Sequence, residues 1–276
     1  MAIESLIEWC MATWNPWHGC HKISPACQFC YMFRDKLRYG QDPNLVVRSK
    51  TTFNDPLKWN EPKLIFTCSW SDFFIEEADQ WREAAWNIIK NTPHHTYQIL
   101  TKRPERILSC LPEDWGEGYE NVWLMVSVES QKYVWRIEEL LNVPARVRGI
   151  SAEPLLGHLD LMPFLTRKKP IQGKTGNWMY GGEITIHPIH WVIAGGESGS
   201  KARPSHPDWF RSLRVQCSLF DVPFFFKQWG EWLPIATPRL QAHHGIIEMN
   251  TPKGLKIVGD LRTLKIEESE FHKEKN

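Results

Sequence analysis

The sequence predicts an α/β fold: a partial or closed parallel (β/α) barrel of six to seven strand-then-helix units, with an insertion and a C-terminal extension. Three observations predict it. Short apolar runs alternate with helix-period runs almost from end to end. The apolar runs are near-continuous, as in strands covered on both faces of a parallel sheet. Polar residues gather where those runs end, the side on which parallel barrels carry their chemistry. At 276 residues the chain is long enough for one such barrel.

Taken in order, the first strand is expected at Ile7–Thr13, followed by the loop WNPWHGCHKISPACQFC. A helix follows at Phe29–Tyr39, with Phe29, Met32, Phe33 and Leu37 on one face. Lys63–Cys68 reads as a strand. Asp79–Lys90 reads as a helix because Trp81, Ala84, Ala85, Ile88 and Ile89 recur on one face. Thr96–Leu100 is the third strand, with a helix over Pro104–Leu111. Val122–Val128 is the fourth, and Lys132–Leu141 its helix. Arg146–Ser151 and Trp191–Ala194 are the fifth and sixth strands, then a helix over Pro207–Phe220 and a short strand at Pro223–Phe226. The Gly-, Lys- and Thr-rich segment at 166–190 reads as an insertion, in the form of a hairpin. The barrel therefore spans 1–232, and 233–276 is an extension whose charged end frays.

Composition narrows the classes. Hydrophobic residues are 42% and charged residues 24%, which excludes a wholly disordered chain. Lys plus Arg is 33 against 32 acidic residues, so the net charge of +1 argues against a strongly basic nucleic-acid coat protein. The N-terminus carries Glu4 and Glu8 and no basic n-region, so no signal peptide is read there. No run reaches the roughly 18 apolar residues of a membrane span. The expectation is a soluble, cytoplasmic protein without a membrane partner.

The strand ends carry the candidate site. They read Ser69-Trp70-Ser71-Asp72, Thr101-Lys102-Arg103, Ser127-Val128-Glu129, Ser151-Ala152-Glu153, Gly195-Gly196-Glu197 and Lys227-Gln228-Trp229. A rim on which Asp72, Glu129, Glu153 and Glu197 converge suits a polar ligand with amino and hydroxyl groups. Gly195 and Gly196 would let the backbone approach it closely.

The seven cysteines do not form a disulfide pattern. Cys20, Cys27 and Cys30 cluster in the loop after the first strand, which points to metal or redox chemistry in a cytosolic chain. Zinc needs a fourth ligand, which His18 or His21 would have to supply. A cubane iron–sulfur cluster on three thiolates would keep one iron open.

The motifs WNPWHGC…SPACQFCY, SWSDFF, ILTKRP, VSVES, ISAEPLLG, IAGGESG and FFFKQWGEW resemble a phage and prophage family of radical S-adenosylmethionine (SAM)-like proteins, related to spore photoproduct lyase. The resemblance runs from about Trp14 to Trp232. It implies a radical-SAM type of barrel and a [4Fe–4S] cluster held by Cys20, Cys27 and Cys30. It also implies SAM on the open iron, a 5′-deoxyadenosyl radical, and an electron donor such as a flavodoxin. Phe29 would lie beside the adenine, with Ser69, Ser71 and Asp72 near the methionine amino group and Ser127 and Glu129 near the ribose. Ser151, Glu153, Gly195, Gly196 and Glu197, from the reading of the strand ends, complete the candidate cofactor-binding set. The first cysteine gap is longer than the superfamily's usual one, and the Gly-Gly-Glu at 195–197 follows the sixth strand rather than the second.

The implied activity is a lyase, isomerase or base-modifying reaction on a thymine-type base of phage DNA, in the host cytoplasm. Two stretches support a nucleic-acid partner: 146–174 has six basic against two acidic residues, and 201–227 has five against two. Two alternatives stand beside it, a radical SAM reaction on a peptide or small metabolite and a zinc-stabilised nucleic-acid-binding module. Cys68, Tyr31 and Tyr97 are capable hydrogen donors, and the spacing selects none of them.

Overall fold

The computed structural model describes residues 5, 7–172, 178–186, 188–234, 247–250, 256–259 and 271–273. Seven strands form one sheet: β1 Ala12–Trp14, β2 Leu64–Thr67, β3 Thr96–Thr101, β4 Val122–Ser127, β5 Val147–Ala152, β6 Trp191–Gly195 and β7 Phe224–Gln228. Every neighbouring pair is parallel, and the spatial order is the chain order. Consecutive order without a reversal winds every crossover to one side of the sheet. The result is a curled, open half-barrel with helices outside. The alternative of a closed barrel is corrected, because β1 and β7 are edges that do not pair with each other.

Period-two alternation sorts each strand into two faces. Ile65, Ile99, Leu124, Val126, Ile150 and Val192 face the helices in the main core. They meet Trp86 and Ile89 of α2 (Asp79–Asn91), Ile137 and Leu140 of α3 (Trp135–Leu141), and Phe210 and Leu213 of α5 (Pro207–Leu219). Their neighbours Phe66, Leu100, Met125, Ile193 and Phe225 face inward and form a second cluster with Trp9 and Cys10. Full burial of each large aliphatic side chain contributes about 1.5–3 kcal/mol, so both faces of the sheet hold it in shape.

Three elements differ from expectation for local reasons. The first strand starts at Ala12 rather than Ile7, because a turn closed by Cys10 N–H to Ile7 O (3.0 Å) folds Trp9 under the inner face. The helix expected at Pro104–Leu111 is a pair of 3-10 turns, Pro104–Arg106 and Leu108–Cys110. Pro112 disfavours helical backbone at Leu111, which is extended. α3 begins at Trp135, after a 3-10 turn at Gln131–Tyr133.

The other helices are α1, Tyr31–Arg38, and α4, Met162–Leu165. α5 shows how the sequence starts a helix: Pro207 occupies the first turn, and His206 Nδ1 accepts the Asp208 N–H at 3.2 Å. In the expected insertion, Arg167–Gln172 and Trp178–Ile186 pair antiparallel as a hairpin. After β7 the βα rhythm ends. Trp232–Pro234 pairs with Phe271–Lys273, and Ile247–Asn250 with Lys256–Gly259; the fraying expected of the last residues falls largely outside the described ones. No described helix is long and apolar enough to cross a membrane.

Candidate functional site

The C-terminal ends of the strands form one rim, and the loop at 19–30, an arch with two feet, touches it at β2–β3 and at the loop after β6. One foot of the arch stands on β2 and β3. Gly19 N–H donates to Trp70 O (3.0 Å), and Ser71 Oγ donates to Gly19 O (2.6 Å). The Arg103 guanidinium donates to His21 O (3.2 Å), and its Nη1 lies 3.7 Å from Cys20 Sγ. His21 pairs with Glu77.

The other foot stands on the loop after β6. Arg203 Nη2 donates to Pro25 O (3.0 Å) and Nη1 to Gln28 Oε1 (3.3 Å), and the guanidinium lies 5.2 Å from the centre of the Phe29 ring. Phe29 is thus placed beside Arg203.

Each rim carboxylate has its own cation. Asp72, buried, accepts from Thr101 Oγ1 (2.7 Å), Phe74 N–H (3.0 Å) and Lys102 N–H (2.9 Å), and pairs with Arg103 at 3.2 Å. Glu129 pairs with Arg136 of α3 at 2.8 Å, both side chains 1% exposed. Glu153 pairs with Lys227 at 2.6 Å, and Glu197 takes the Arg203 fork at 2.6 and 2.8 Å. Only the Glu153–Lys227 pair is half-exposed on both sides, at 19% and 24%. Lys102 Nζ donates to Ser127 Oγ (3.1 Å) and has no carboxylate partner among the described residues.

The serines divide by task. Ser71 is tied to the arch. Ser69 Oγ exchanges hydrogen bonds with Asn15, and its carbonyl accepts from Tyr31 Oη at 2.5 Å. Ser127 and Ser151 are buried on the inner face between the two lysines. Gly195 lies against Glu153, where a Cβ would come within 3.1 Å of the carboxyl carbon. Gly196 is required by a backbone crossing, since a Cβ there would fall 1.8 Å from Trp229 O. Arg136 went unnoticed in the sequence; the only signal for it was a basic residue on the helix that follows Glu129.

The cysteines do not assemble as expected. Among the described residues no group of three or more His, Cys, Asp or Glu side chains is placed to hold a metal ion. Cys20 Sγ is turned to Arg103 and to His21 O (3.6 Å). Cys27 ends the 3-10 turn Pro25–Cys27, its Sγ 3.8 Å from Ser24 Oγ, and Cys30 is the N-cap of α1. Burial pushes the Cys20 thiol up to about 11 and raises that of Cys30. The [4Fe–4S] cluster on Cys20, Cys27 and Cys30 is therefore corrected. With it go the SAM it would chelate, the radical reaction on base, peptide or metabolite, the ground for a flavodoxin donor, and the zinc module.

Fold and rim together define an open α/β half-barrel with a polar, internally charge-paired C-terminal mouth. The chain belongs to the family described as protein of unknown function (DUF5131), which matches residues 4–261. This assignment replaces the resemblance to the radical-SAM-like phage family and to spore photoproduct lyase. No curated protein and no solved structure matches the chain.

Proposed function

We propose that the chain binds a phosphate-bearing nucleotide, free or within a nucleic acid strand, at the C-terminal rim of the half-barrel. The observation that carries the reading is the arrangement of Lys102, Ser127, Glu153 and Lys227 on the inner side of the rim. The other rim carboxylates are spent on arginines. This group keeps the Lys102 ammonium, which has no carboxylate partner among the described residues, for an anion, and the partly exposed Glu153–Lys227 pair for exchange with a polar ligand. Ligands of open parallel sheets bind outside the carboxyl ends of the strands. Ser69, Ser151, Gly195 and Gly196 line the same mouth, and Phe29 in the arch offers a ring.

Calorimetric titration with AMP, GMP, CMP and TMP, and with a short single-stranded oligonucleotide, tests this. Saturable binding that is lost in Lys102→Ala and Lys227→Ala supports it. Tighter binding of the oligonucleotide would identify a strand, and equal binding a free nucleotide. Absence of binding by every probe, or binding indifferent to both substitutions, would overturn it.

A further inference from the structure

The half-barrel is open between β1 and β7, and the arch at 19–30 links the β2–β3 end of the rim to the loop after β6. Its two feet are built differently. The foot near residues 19–22 is held by backbone, by Ser71, by Glu77 and by Arg103, and Arg103 is itself fixed by buried Asp72. The foot at Pro25–Phe29 meets the sixth-strand loop through the Arg203 side chain, which is 29% exposed.

Arg203 is well anchored at its base. Its backbone N–H and Nε both donate to Glu197 Oε2, at 2.9 and 2.8 Å, and Nη2 donates to Glu197 Oε1 at 2.6 Å. Glu197 is 6% exposed. Its loop is braced by the turn after β7: Glu231 N–H donates to Glu197 O (2.9 Å), and Gly199 N–H donates to Glu231 Oε2 (3.1 Å). The same guanidinium then spends its outer nitrogens on Pro25 O and Gln28 Oε1 and its face on Phe29. A planar fork with several fixed donors suits this double task, and an ammonium group does not.

We propose that Arg203 is a positioning residue: it pins the Pro25–Cys30 half of the arch to the sixth-strand loop, so that this half closes over the rim and slows release of a bound ligand. The pin stands on its own geometry; the effect on release rests on the rim being the ligand site. Glu197 is the base of the pin. The foot at 19–22 has its own anchors on β2 and β3, and Lys22 Nζ, donating to Gln28 O at 2.9 Å, ties the two feet together.

Hydrogen exchange on the full chain tests the pin without a ligand. In Arg203→Ala, exchange across 24–30 rises more than about tenfold while 19–22 and the core strands keep their rates. Arg203→Lys, which keeps the charge near Glu197 but loses the fork, falls between the two. If Arg203→Ala fails to fold, Arg203→Lys carries the test. Unchanged exchange at 24–30, or an equal rise at both feet, overturns the pin.

AMP, with rates measured by stopped flow, tests the closure. Arg203→Ala raises the dissociation rate at least about tenfold, a change of about 1.4 kcal/mol, and leaves the association rate within a few-fold. Unchanged dissociation overturns the closure and leaves the rim site standing. No AMP binding by the wild-type chain overturns the rim reading and the closure with it, while exchange still judges the pin.

Discussion

The buried pair Glu129–Arg136 gives the sharpest stability prediction. Both side chains are 1% exposed, and their contact is a single hydrogen bond of 2.8 Å. The same Arg136 nitrogen also donates to Ser127 O at 2.9 Å, and the guanidinium lies 4.5 Å from the Tyr133 ring centre. The perturbation is Arg136→Met, which keeps the stem and removes the charge. An exposed pair is worth about 0–1 kcal/mol. Removing one partner of a buried pair costs about 3–5 kcal/mol, because the remaining carboxylate is left charged in a dry site.

Against a typical total of about 5–15 kcal/mol, that is a large loss. Urea unfolding should show the midpoint falling with the slope unchanged. The pair is imperfectly satisfied, since Glu129 Oε1 and Arg136 Nε lack partners among the described residues. The double substitution Glu129→Leu with Arg136→Met should therefore recover most of the loss, to within about 1 kcal/mol of the parent. A single substitution that costs less than about 1 kcal/mol, or a double one as unstable as the single, refutes the reasoning.

Two further outcomes follow from the same structure. Gly196→Ala places a Cβ 1.8 Å from Trp229 O, a collision with backbone that no rotamer relieves, so it should cost about 3 kcal/mol or more in thermal or urea unfolding; a loss below about 1 kcal/mol would show that the crossing yields. Burial lowers the pKa of His95 and, with Lys36 nearby, of His18, so each stays neutral in the fold at pH values where the unfolded chain takes up a proton. The unfolded state then binds more protons, and stability falls with pH below about 6.5, each histidine adding up to about 1.4 kcal/mol per pH unit until its own folded pKa is reached. Urea midpoints between about pH 7.5 and 5.5 check this, and a flat profile would contradict it.

Much of the fold was legible because the strands are buried on both sides. Apolar runs such as 122–128 and 191–194 read as buried strands, and the strands after the first start and stop within about two residues of expectation. α2 was legible from one periodic face. The errors share a cause. At Ile7–Thr13 an apolar run serves a turn that plugs the inner face, and at 104–111 a proline just beyond the run decides the backbone. The rim was legible as a set of strand ends, but its electrostatics was not. Asp72, Glu129 and Glu197 look like free ligand contacts in one dimension, and their arginines arrive from the next loop, the next helix and six residues on. The cysteine spacing misled for the same reason. It records separation along the chain, whereas the thiols are directed by Arg103, by a 3-10 turn and by the start of α1.

The hairpin at Arg167–Ile186 sits in the crossover from β5 to β6, where the described helix is the four-residue α4. Its first and last residues are paired directly with each other, so the chain leaves and re-enters the half-barrel at almost one point. The neighbouring strands β5 and β6 keep their own register, with Trp191 opposite Gly149 and Ala194 opposite Ala152, whatever happens beyond that point. Length there is therefore decoupled from architecture. Evolution can lengthen, shorten or exchange this appendage as a module, with the seven-stranded scaffold and its mouth untouched.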